Sequence, residues 1–86
     1  MMSKKKPSPQ EIKQTEKWGI WQKEPSVFPW FYDERETCYI LEGHATVVAS
    51  TGESIDFSAG DLVFFGQGLE CTWTIREKII KRYYFG

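Results

Sequence analysis

The 86-residue sequence holds one histidine, His44, and two cysteines, Cys38 and Cys71. A single imidazole excludes the multi-histidine sets that usually carry catalytic zinc or iron. The two thiols form no Cys-x-x-Cys pair, which removes a thiolate zinc knuckle and a dithiol redox couple. Two cysteines are also too few for a disulfide scaffold, so both are expected to be reduced. No apolar run approaches the roughly 18 residues of a membrane span. The lysine-rich start lacks the apolar core of a secretory signal, so a cytoplasmic protein with no membrane partner is expected. An excess of one charge sign is missing too, with eleven Lys and Arg against twelve Asp and Glu. That balance argues against nucleic acid as a partner. The one basic run, Lys4-Lys5-Lys6, reads as part of a flexible solubilising tail over residues 1–8. Gly60-Asp61 and Gly66-x-Gly68 precede no helix and lack the Lys-Ser/Thr ending of a phosphate loop, so they read as turns.

What the sequence has in quantity is aromatic residues: four Trp, four Tyr and six Phe. They supply large buried areas to a chain too short for a broad core, and they exclude disorder. One domain, residues 9–86, is the expected organisation. A core this small makes self-association natural, and a homodimer is the expected assembly.

Ser8, Pro9 and Glu11 have the spacing of an N-cap, first helical residue and capping-box partner, predicting a short helix from Pro9 to about Glu16. The pattern then turns from helical to alternating. An aromatic arm runs from Trp18 to Tyr32, interrupted by Pro25 and Pro29, and reads as edge strand or irregular chain. Strand-like runs follow at Glu36–Glu42, Ala45–Ser50, Ser54–Ser58, Leu62–Phe65, Glu70–Arg76 and Ile79–Phe85. Short alternating runs separated by turn residues predict an all-β sandwich or barrel. Alternation puts Glu36, Cys38 and Ile40 on one face, and Thr37, Tyr39 and Leu41 on the other. Cys71, Trp73 and Ile75 share a face in the same way.

Two segments in this order resemble the paired motifs of the cupin superfamily. In the first, Glu36 and Gly43 match the motif's Glu and Gly, while Trp30 and Tyr32 stand at its two histidine positions. In the second, Gly60 and Gly68 match, Gly66 replaces a proline, and Cys71 stands at the histidine. The sequence is especially similar to the small single-domain cupins of the DUF861 or Cupin_3 group, including those of thermophilic bacteria. The runs that carry this are Trp30–Tyr32, Glu36–Gly43, Gly60–Val63, Cys71-x-Trp73 and Lys81–Tyr83. The resemblance implies an RmlC-like jelly-roll β-barrel with a short N-terminal helix and an aromatic N-terminal arm. The group includes metal-dependent ureidoglycine aminohydrolases and the cupin domains of ethanolamine-utilisation proteins, so membership alone does not choose between enzyme and binder.

At the motif positions only Glu36 and Cys71 could ligate a metal, so no metal or other cofactor is expected. His44 reads as a solvated residue in the turn after Gly43. Glu36 is open to two readings. In an apolar barrel, desolvation would favour its protonated form and suit it to general acid–base work. Otherwise it is a carboxylate hydrogen-bonded to Tyr32 or paired with an internal Arg or Lys. Cys71 is a candidate nucleophile only if a cationic neighbour lowers its pKa, and otherwise an inert buried thiol. Trp30, Tyr32, Trp73 and Tyr39 read either as barrel packing or, with Glu36 and Cys71, as the wall of a pocket for a flat or cationic small molecule. Three functions stay open on this evidence. They are a metal-free binding, sensor or accessory protein, a small-metabolite enzyme using Glu36, and an interaction module with a filled barrel.

Overall fold

A computed structural model describes all residues, Met1–Gly86. Seven strands and one helix follow the chain: β1 (Met2–Lys5), α1 (Pro9–Gln14), β2 (Gly19–Lys23), β3 (Ser26–Phe31), β4 (Glu36–Ala49), β5 (Ser54–Ser58), β6 (Leu62–Phe65) and β7 (Glu70–Phe85). The capping box is formed as the spacing predicts. The Glu11 N–H donates to Ser8 Oγ, and the Ser8 N–H donates to Glu11 Oε1. A 3-10 turn, Thr15–Lys17, closes the helix. Arg82 on β7 donates to Thr15 Oγ1 and so ties this segment to the barrel.

The architecture is an all-β barrel built on two long antiparallel strands. β4 and β7 pair along almost their whole length, from Glu36 opposite Phe85 to Ala49 opposite Cys71. Each changes its second partner halfway. The first half of β4 pairs with β6 and its second half with β5. The first half of β7 pairs with β3 and its second half with β2. The result is one layer ordered β1-β6-β4-β7-β2 and a second ordered β5-β4-β7-β3. Large apolar side chains from the two layers meet between them: Phe57 of β5 packs edge-on against Phe65 of β6, with ring centroids 6.0 Å apart.

Three expectations are corrected here. Residues 2–5 are not a flexible tail: they form β1, paired with β6 from Met2 opposite Phe65 to Lys5 opposite Leu62. The segment is pinned at its end, where Lys6 lies 2.8 Å from the buried Asp61 carboxylate. Burial pushes the Asp61 pKa up, but Lys6, the Ser58 N–H and Lys4 outweigh it and hold it below its ordinary value. The runs on either side of Gly43 are one strand, as are those on either side of Glu77. Gly43 marks a bulge, where the β4–β7 register shifts. It takes φ +99°, and a Cβ there would fall 2.0 Å from the Lys78 carbonyl oxygen, so only glycine fits. His44 accordingly sits within β4, not in a turn, with its Nε2 2.8 Å from Asp56 on β5.

Candidate functional site

Glu36 begins β4 with its side chain turned inward, and the residue is 2% exposed. A carboxylate this deep is tolerated only with partners that replace water. It has one on each oxygen. The Tyr32 hydroxyl donates to Oε1 at 2.8 Å, and the Lys81 ammonium donates to Oε2 at 2.8 Å. Tyr32 is placed by the loop before β4, where its N–H donates to the Leu69 carbonyl and its own carbonyl accepts from the Gly68 N–H. Its ring stacks on Phe65 at 5.0 Å. Burial first, then the Glu36 charge, holds the Tyr32 phenol far above its ordinary pKa, so it remains a donor.

Lys81 comes from the inward face of β7, between Ile79 and Tyr83. Its ammonium lies 4.7 Å from the ring centroids of both Trp21 and Trp73. Those two rings stand edge to face, and Phe28 stacks on Trp73 at 5.9 Å with 14° between the planes. Ion pair and aromatic faces together form the wall of a cavity of about 190 Å³ between the two layers. It lies on the side bounded by β2 and β3. Tyr83 closes one wall, its ring lying across Gly19 of the paired strand, where a Cβ would meet it at 2.7 Å. Trp30 and Phe85 line the cavity but are 49% and 40% exposed, so they form its rim.

Of the residues singled out in the sequence, Trp30, Tyr32, Glu36 and Trp73 are brought together here. Tyr39 is not. It alternates with Glu36, Cys38 and Ile40 along β4, is partly exposed, and faces away from the cavity. Cys71 also lies outside the cavity. Opposite Trp30 in the β3–β7 ladder, it lines a shallow surface groove with Pro29, Val48 and Glu70, and its thiol donates to the Trp30 carbonyl at 3.5 Å. Burial, then the negative charge of Glu36, pushes its pKa up. No cation lowers it, so the thiolate that a nucleophile requires is not favoured. Cys38 is core, as expected, and burial carries its pKa to about 12, with Lys81 pulling it down and Glu36 adding to the rise.

The sequence reading did not place Lys81, Trp21, Phe28, Tyr83 or Phe85 at the site. A signal for Lys81 existed, since period-two alternation puts it on the same face as Ile79. A lysine there must either break the face or find a carboxylate inside.

The donor set does not fit a metal ion. No three His, Cys, Asp or Glu side chains gather anywhere in the chain. Both Glu36 oxygens are engaged, and the Lys81 ammonium holds positive charge where a cation would have to bind.

Comparison with known proteins agrees with this architecture. The EutQ-like cupin domain family matches over residues 11–84. A DUF861 family protein of Thermotoga maritima, solved as a crystal structure, is 43% identical over the whole of both chains, with a TM-score of 0.97. An ethanolamine-utilisation protein Q of Salmonella typhimurium is 27% identical, with a TM-score of 0.71 over 78% of this chain and 54% of its own. A DUF861 family protein of Pseudomonas syringae is 28% identical, with a TM-score of 0.71 over 79% of this chain and 29% of its own. No curated protein matches this sequence. No helix is long and apolar enough to cross a membrane.

Proposed function

The chain belongs to the EutQ-like cupin domain family, and we propose that it works as a metal-independent small-molecule-binding cupin, a sensor or accessory protein. The observation that carries this is the aromatic cavity of about 190 Å³ with a single buried ion pair at its base. Small-ligand sites are mostly apolar concavities with a few fixed polar groups, and this one has that composition. An interaction module with a filled barrel would have no such space. An enzyme using Glu36 for proton transfer is the weaker reading, because the carboxylate must first release Tyr32 or Lys81.

The test is an NMR fragment screen read at the indole N–H signals, with Trp18 as internal control because it stacks on Tyr84 and does not line the cavity. Ring-sized fragments are expected to move Trp21 and Trp73 and leave Trp18 in place, in protein whose elemental analysis shows no stoichiometric metal. A screen with no selective shift would overturn cavity binding. One metal ion per chain would overturn metal independence.

A further inference from the structure

We propose that Lys81 recognises the ligand, and that the ligand is a neutral planar ring bearing a carbonyl oxygen, such as an aromatic carboxamide, and not an organic cation. This rests on the reading of the cavity as a small-molecule site. Aromatic faces closed by a carboxylate are how proteins hold organic cations. Trp21, Trp73 and Glu36 make such a cage, but the chain fills it itself. The Lys81 ammonium sits 4.7 Å from both ring centroids and 2.8 Å from Glu36. An incoming ammonium would have to expel a tethered one or lie beside it as a like charge. A ligand carboxylate fares little better: Glu36 already neutralises Lys81, so the new anion would lose its hydration without an unpaired cation to meet.

A neutral acceptor has no such penalty. An ammonium carries three donors, and Lys81 makes one hydrogen bond, to Glu36. Its remaining donor capacity suits a carbonyl oxygen. Tyr32 spends its proton on Glu36, leaving its oxygen able to accept from an amide N–H. The walls are flat, with Phe28 and Trp73 nearly parallel. The volume of about 190 Å³ sets the size, since an apolar protein cavity of about 150 Å³ takes up benzene. One ring with a small polar head is the implied ligand.

Four probes with the same ring and different heads test this: benzamide, benzoate, benzylammonium and toluene, titrated against the Trp21 and Trp73 indole signals. Benzamide should bind tightest by about tenfold or more, the weight of one hydrogen bond to a charged group. In the double variant Glu36→Gln with Lys81→Met, neutral and close in shape, the preference for benzamide over toluene should shrink by about tenfold, to what Tyr32 and the new amide supply. Benzylammonium or toluene binding the native protein as tightly as benzamide would overturn the role of Lys81 while leaving the cavity reading intact. A preference for benzamide that survives undiminished in the double variant would also overturn it. Four silent titrations would overturn the cavity reading and this inference together. The ranking on the native protein decides the matter even if the double variant does not fold.

Discussion

The two flanks of the barrel are built from the same kind of side chain and end in opposite states. On the β5–β6 flank, Phe57, Phe65, Val47 and Val63 are 1% exposed or less, and Phe57 also packs edge-on against Trp73 at 5.4 Å. On the β2–β3 flank, Trp21, Phe28 and Trp73 form equally large surfaces, yet a cavity remains between them. The difference lies in what stands at the centre of each. Aromatic rings alone close over one another until no void is left. A buried ion pair cannot be compressed in that way, because each charge needs its partner in one geometry and has been taken out of water at a cost. Lys81 and Glu36 therefore act as a spacer as well as a polar contact, and Trp73 belongs to both flanks.

The sharpest way to break the comparison is to open the closed flank. Phe57→Ala removes a fully buried ring and should cost about 3–5 kcal/mol, the usual range for truncating a buried Phe in a core. Chemical denaturation would measure it. If the flanks are independent in use, the folded variant should still show cavity-selective indole shifts. Their loss would mean that the filled flank holds the open one in shape through Trp73.

A second experiment separates the flanks by pH. Burial raises the pKa of Tyr32 and takes Cys38 to about 12, and the negative charge of Glu36 adds to both. The unfolded chain therefore gives up these protons first. Both contributions are fully present below the ordinary thiol value of about 9. That of Cys38 is lost as the pH rises from there towards about 12, and that of Tyr32 only begins to be lost above its ordinary value of about 10. Each proton bound by the native state and not by the unfolded chain steepens the fall by about 1.4 kcal/mol per pH unit. Cys38→Ala and Tyr32→Phe should each flatten this alkaline slope, whatever they do to stability at neutral pH. A slope unchanged in both would contradict the burial of those groups.

The sequence made the fold legible because barrel strands write their pattern in local alternation, and the ordered family motif supplied the closure. It misread two boundaries for a physical reason. Glycine marks a turn and a bulge with the same permissive backbone, so Gly43 looked like the end of a strand it only kinks. The lysines of β1 hid a strand whose partner lies some sixty residues away, where Asp61 and β6 supply what the local sequence cannot. At the site, the first motif was informative residue by residue. Trp30, Tyr32 and Glu36 share the cavity, and Glu36 has the Tyr32 hydrogen bond and the internal lysine partner that the sequence offered as one of its two readings. Cys71 does share the inward face of β7 with Trp73 and is buried in the same core, but it stands beside the cavity and does not line it. Lys81 was missed because its meaning depends on Glu36, 45 positions earlier.

The smallest effect is expected on the outside of the closed flank. There His44 and Thr46 of β4 both contact the Asp56 carboxylate, and Arg76 donates to Thr46. Thr46 first, then His44, holds the Asp56 pKa below its ordinary value. The network looks like a seam joining β4 to β5, but its charged ends are in water: the Asp56 side chain is 60% exposed. Exposed pairs contribute about 0–1 kcal/mol and weaken with salt. His44→Ala should therefore shift the melting temperature by no more than about 4–8 °C, the equivalent of about 1 kcal/mol in a domain of this size, and by less again at high ionic strength. A loss approaching that of Phe57→Ala would mean the flank is held shut from its polar outer face. The ladder between β4 and β5, with Phe57 packed beneath it, predicts the opposite.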